Sequence, residues 1–227
     1  MASREYTENL KNFHTADGIK AILLYIIKIL ILFLQGYTYT TSLSVEALNK
    51  LQIIFPLCTL IIGIMFIVLS KDKLYTVGLN KAKLLQSLII GVILAVILII
   101  GMAVYYMIVE NVSVGITYPA LNTFWIFVVA AIQEEIIFRG YIQTRLTAII
   151  NKPIICSFCT ALLFLGIHYP IRWVVAGFSL TSLSLYYVIS LIVLHFVCDF
   201  VYQKTNCLWG AILLHFLYNI GQSMLVL

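Results

Sequence analysis

Residues 84–109 contain no Asp, Glu, Lys or Arg, and the stretch is long enough to cross a lipid bilayer as one helix. A helix needs about 20 predominantly apolar residues to span the hydrocarbon core. Six further apolar runs recur along the chain, at residues 19–36, 51–70, 122–138, 153–168, 181–202 and 207–227. The runs at 122–138 and 153–168 are short and carry polar residues, and an amphipathic stretch after Arg139 extends the former to about Ile150. Of all residues 63% are hydrophobic and 10% are charged, whereas soluble domains carry roughly a quarter charged residues. Water cannot be the solvent for such a surface. The pattern predicts an all-α, polytopic transmembrane helix bundle of about seven spans, six to eight in all. Residues 1–18 form an N-terminal tail, and residues 19–227 a single transmembrane domain. No internal repeat is evident. The polar start of the chain has no short apolar core with a cleavage site, so the first span is expected to act as the targeting signal.

The basic residues orient the bundle. Arg4, Lys11 and Lys20 precede the first span. Lys71, Lys73, Lys81 and Lys83 follow the second, Arg139, Arg145 and Lys152 the fourth, and Lys204 the sixth. All of these fall on one side, against only Lys50 and Arg172 on the other, with Lys28 inside the first span. The positive-inside rule then places the N-terminus in the cytoplasm and the C-terminus outside. A net charge of +5 without a basic stripe or aromatic platform gives no nucleic-acid footprint. The five cysteines imply no disulfide framework. Cys156 and Cys159 form an isolated CxxC, which reads as two packed helix cysteines rather than a redox or zinc motif.

Ionisable groups in a bilayer core cost about 2.5–3.5 kcal/mol each on insertion scales. This chain nevertheless places Glu134, Glu135, Arg139, His168, His195, Asp199 and His215 within or at the ends of its apolar runs. On a helix, Glu135 and Arg139 are four apart and can pair. Glu134 points about 100° away, free of the arginine and in an apolar surround, where a carboxylate can serve as a general base. Two adjacent carboxylates in unlike environments can divide roles. His168 gains meaning only with partners. His215 and Asn219 share a helical face and can donate toward one point, as an oxyanion requires, or simply bond helix to helix. His195 and Asp199, also four apart, read as a self-satisfied buried pair, with a proton relay as the alternative.

Taken in order, Glu134-Glu135-x-x-x-Arg139, Phe164-x-x-x-His168 and His215-x-x-x-Asn219 resemble the motifs of the CAAX protease and bacteriocin-processing family, also called the Abi family. Phe138-Arg139-Gly140 and Leu208-Trp209-Gly210 match its context, and the likeness covers residues 122–219. The resemblance implies a multi-pass intramembrane endopeptidase whose partners are the bilayer and a peptide or protein substrate within it. By motif position it implies that Glu134 activates the attacking water with help from His168. His215 and Asn219 would stabilise the oxyanion, and Glu135 and Arg139 would orient the site. Small size and family type point to a bacterial plasma membrane and to a bacteriocin or signalling-peptide precursor as substrate. An immunity protein or non-catalytic scaffold of the same family is the alternative. A proton-coupled transporter lacks the expected inverted repeats. No cofactor is expected. Two glutamates and two histidines can in principle hold zinc, but no HExxH is present, and the set reads better as a base with donors.

Helix depth sets a further condition. At about 1.5 Å per residue, Glu134, His168 and His215 meet only if the fourth helix runs past its apolar stretch. A long fourth helix is therefore expected, with a membrane-interior cavity opening to the cytoplasm.

Overall fold

A computed structural model describes residues 2–70 and 73–226, so Lys71, one of the basic residues counted above, lies outside the described residues. Helices dominate. They are α1 (Arg4–Leu10), α2 (Thr15–Tyr39), α3 (Val45–Leu69) and α4 (Leu84–Ile108). Next comes α5 (Leu121–Glu135), which continues without a break through a π-helical segment (Ile136–Gln143) into α6 (Thr144–Ile150). The chain then forms α7 (Pro153–Gly166), α8 (Pro170–Ala176), α9 (Leu185–Thr205) and α10 (Trp209–Met224). Two short strands, β1 (Gly115–Ile116) and β2 (Leu225–Val226), pair antiparallel.

Local sequence sets these boundaries. Ser3, Ser44 and Ser184 each accept a backbone N–H from the first turn of α1, α3 and α9, a cap worth about 1 kcal/mol. Asn151 and Asn206 end α6 and α9 in the left-handed conformation, at φ of 54° and 51°, which asparagine visits more readily than most residues. Pro153 and Pro170 open α7 and α8, where a missing N–H is harmless. Pro56 lies inside α3 and removes the hydrogen bond to the carbonyl of Gln52.

The exterior is apolar and much of the polarity is inside. Along α4, Ile89, Val92, Ile93, Val96, Ile97 and Ile100 are exposed, whereas Ser87, Gly91 and Ala95 are buried. Lys28, Glu135, Arg139, Arg145 and Asp199 are all buried. This is the arrangement a bilayer selects. By length and composition five helical stretches can cross a membrane: Val45–Leu69, Leu84–Ile108, Leu121–Ile150, Pro153–Ala176 and Leu185–Thr205. The chain is a multi-pass, all-α membrane protein. Each of the seven expected runs contains an α-helix over most of its described residues. Of the remaining two, α2 has 25 residues, and α10 has 16, fewer than the roughly 20 of a full span.

Inter-helix contacts define the two ends of the bundle. At one end Ser3 N–H donates to the Gln203 carbonyl, Asn9 to the Thr76 carbonyl and Asn80 to the Asn206 carbonyl. Lys83 pairs with Glu5, and Arg145 lies over Phe13 and Tyr141. The N-terminal segment, the 73–83 loop, the end of α6 and the α9–α10 turn thus gather together, as the basic-residue count requires of one side. The segment expected as a tail is in part a docked helix, with Tyr6 buried edge-on against Tyr202. The last described residues lie at the other end, where β2 pairs with β1.

Small residues let α10 approach α4. A Cβ at Gly210 would overlap the Ser87 carbonyl, and one at Gly91 would overlap Gly210. Close approach of this kind is how membrane helices associate in the absence of a hydrophobic drive. Gly210→Val is expected to destabilise the fold by about 1–3 kcal/mol. A thermal transition in detergent equal to that of the parent would contradict this packing.

Candidate active site

The expected long helix is present. Leu121–Ile150 is continuous over 30 residues, and its π-helical segment begins immediately after the glutamate pair. Such π turns interrupt α-helices most often at functional sites. Every residue of Ile136–Gln143 is buried, so the segment re-aims side chains inside the bundle rather than at its surface.

Glu135 and Arg139 are both completely buried, and their side chains meet with Arg139 Nη1 2.9 Å from Glu135 Oε1. The same Oε1 accepts a hydrogen bond from His215 Nδ1 at 2.8 Å. A carboxylate oxygen only accepts, so the proton on this imidazole edge belongs to Nδ1. The Arg139 guanidinium stacks on the Phe164 ring, with Cζ 4.3 Å from the centroid. Its approach to Glu135 is an ionic contact without linear N–H···O geometry, since the Arg139 nitrogens have no hydrogen-bond partner among the described residues. The expected Glu135–Arg139 pair thus exists, and His215 on α10 completes it into a triad.

Glu134 takes the separate environment anticipated for it. Its side chain is 15% exposed, and Oε2 lies 3.9 Å from His215 Nε2. Its other oxygen accepts a hydrogen bond from Gln133 Nε2 at 3.1 Å. Glu134 lines a cavity of about 250 Å³ that also contains His168. His168 Nδ1 is 2.9 Å from the Phe164 carbonyl, which can only accept. Nδ1 therefore carries the hydrogen, and the neutral ring presents Nε2 as an acceptor. Polar groups from Gln35, Gln52 and Thr59 share the cavity with apolar Leu32, Ile126 and Ile171. Pro56 is there too, and the carbonyl it frees belongs to Gln52.

Five of the six residues singled out in the sequence converge: Glu134, Glu135, Arg139, His168 and His215. Asn219 stands one turn beyond His215 on α10, half-buried, with no side-chain hydrogen bond among the described residues, and is not among the residues that line the cavity. Two expectations are corrected. The cavity lining comes from the later part of α2, the first half and middle of α3, the first half of the continuous Leu121–Ile150 helix, and the α7–α8 junction. That is the half of the bundle remote from the N-terminal end, not the side on which an opening to the cytoplasm was expected. The cause is that the Leu121–Ile150 helix enters from the far end and reaches Glu134 before its mid-length. His195 and Asp199 do not pair with each other. His195 Nε2 donates to the Ser157 carbonyl at 3.1 Å, while Asp199 accepts from Ser157, Gln143 and Gln203. Both hold α7 against α9, the bundle-holding role expected of them, through Ser157 instead of directly.

Sequence reasoning passed over Lys28 and Gln133. Lys28 is 2% exposed, lines the cavity, and donates to Gln133 Oε1 at 2.7 Å. The signal was available: a lone lysine inside an otherwise apolar span is costly unless it has a partner or a task. Cys156 and Cys159 are free thiols on α7. Among the described residues no three His, Cys, Asp or Glu side chains form a metal-ligating group.

Residues 116–221 match the family described as Rce1-like, type II CAAX prenyl endopeptidase Rce1-like. Comparison with curated proteins and with solved structures gives no match. The matched segment, just under half of the chain, contains all three motifs from Glu134 to Asn219. Over this segment the chain is similar to the Rce1-like family of CAAX proteases, the likeness the motifs implied. That likeness supports a protease kind of function for this bundle of apolar helices.

Proposed function

We propose that the protein hydrolyses a peptide bond in an apolar, membrane-associated peptide or protein, with Glu134 as general base. The observation that carries this reading is the convergence of Glu134 and His168 on one cavity, backed by the buried His215–Glu135–Arg139 set. The cavity favours a peptide guest. Backbone amides in a membrane must find hydrogen-bond partners, and Gln35, Gln52 and Thr59 offer them beside apolar walls for side chains.

In this mechanism a water molecule donates hydrogen bonds to Glu134 and to Nε2 of His168. Glu134 takes its proton as the oxygen adds to the scissile carbonyl carbon. His215 donates to Glu135 through Nδ1 and turns its Nε2 edge toward the new oxyanion. The tetrahedral intermediate collapses with cleavage of the C–N bond, and Glu134 returns the proton to the departing amine. Preorganised donors in a water-poor site are the largest contributors to such catalysis.

No step in this scheme draws on a metal. Activity is therefore expected to survive exhaustive treatment with EDTA and 1,10-phenanthroline, measured on internally quenched apolar peptides with the protein in lipid nanodiscs. Loss of cleavage on chelation and its return with zinc would instead assign the glutamates and histidines a metal. Bacteriocin and signalling-peptide precursors are the proposed natural substrates. A matched peptide pair, plain and prenylated near its C-terminus, tests this assignment, with the plain peptide expected to be cut at least as well. An immunity or scaffold role predicts no cleavage of any peptide, and protection that survives Glu134→Ala.

A further inference from the structure

Lys28 lies on α2, outside the matched segment, yet its ammonium reaches the neighbour of the proposed base. An ammonium has three donors and no acceptor. The Gln133 atom it faces at 2.7 Å is therefore the amide oxygen. That fixes the amide orientation, which in a glutamine without such a neighbour is ambiguous. With the oxygen turned to Lys28, the NH₂ group must turn to Glu134, where it donates to Oε1 at 3.1 Å. Both Lys28 and Gln133 are 2% exposed, so the Lys28–Gln133 bond is buried, while Glu134 is 15% exposed at the cavity wall. The ammonium also sits 5.8 Å from the Phe138 ring centroid, which holds the lysine stem against the helix that carries both glutamates.

We infer that Lys28 is a positioning residue, acting through Gln133 to hold the Glu134 carboxylate with Oε1 occupied and Oε2 free to take the proton from water. The inference rests on the general-base reading of Glu134 and adds the device that orients it. Without the ammonium, the Gln133 amide can rotate and present its oxygen to the carboxylate, which repels Glu134 from its working position. Gln133 and Lys28 then act as one unit across α2 and α5.

The test uses Lys28→Met, Lys28→Arg, Gln133→Met and the Lys28→Met/Gln133→Met pair, each in nanodiscs with an internally quenched apolar peptide. A misplaced reacting group costs about 10²-fold in rate. A fall in kcat of about that size is expected for Lys28→Met and Gln133→Met, with KM little changed and with the double variant no worse than either single one. Lys28→Arg, which also only donates, is expected to restore most of the rate. A rise in KM at unchanged kcat would overturn the inference and make Lys28 a substrate contact. Additive losses would overturn it too. A second readout does not depend on activity: infrared difference spectra against Glu134→Gln identify the Glu134 carboxylate stretch. That band is expected to shift in both Lys28→Met and Gln133→Met, and an unmoved band refutes the relay even if no peptide is cleaved. Absence of cleavage by the parent protein counts against the peptidase reading, and the infrared result then decides the relay separately.

Discussion

Glu134→Gln is expected to lower kcat/KM by about 10²–10⁴-fold, the usual contribution of a general base, while the protein folds and inserts normally. The substitution is nearly isosteric and removes only the ability to take a proton. Glu134 is at the cavity wall rather than in the fully buried pair, and its neighbours are Gln133 Nε2 and, further off, His215 Nε2. Neither requires a charged partner to stay in place. The loss should therefore appear in the chemical step, with the thermal transition in detergent within a degree or two of the parent's. Equal activity of parent and variant at equal folded concentration would remove Glu134 from the mechanism.

The second large effect is on stability. Arg139→Met is expected to destabilise the bundle by about 3–5 kcal/mol, the cost of leaving one member of a buried ion pair uncompensated. Glu135 would then sit at zero exposure with His215 as its one strong partner, and the Phe164 ring would lose the guanidinium stacked on it. Glu135→Met in the same background should recover much of the loss, because replacing both charges by apolar groups of similar volume is often neutral. Equilibrium unfolding in mixed micelles measures both. Additive destabilisation by the two substitutions would show that the residues are not a coupled pair. Arg139→Lys is not a substitute, since an ammonium cannot stack on Phe164 as a planar guanidinium does.

The two predictions separate what the adjacent glutamates do, and that separation was legible before any coordinates. The i, i+4 relation of Glu135 to Arg139 follows from helical geometry alone, and so did the need for a fourth helix longer than its apolar run. The helices at Leu84–Ile108 and Val45–Leu69 were legible because lipid imposes a length and a composition on each span. What the sequence hid was pairing between helices. Nothing local says that His215 donates to Glu135, or that Asp199 accepts from Ser157 on α7 rather than bonding His195 one turn away. Lys28 was visible as an anomaly, but its partner Gln133 lies on another helix and no spacing rule connects them. The π-helical turn after Glu135 has no simple sequence signature either. The position of the cavity was misjudged because depth was reasoned from span ends, whereas Gln52, Pro56 and the α7–α8 junction line it in the half of the bundle remote from the N-terminal end.

The central claim is that this membrane bundle cuts peptide bonds with Glu134 as its base. Mass spectrometry of apolar precursor peptides incubated with the purified protein in nanodiscs tests it most directly. The account predicts two product peptides from one defined bond, whose masses sum to the substrate plus one water, with the parent protein and not with an equal amount of folded Glu134→Gln. The same products formed at the same rate by the variant would contradict it.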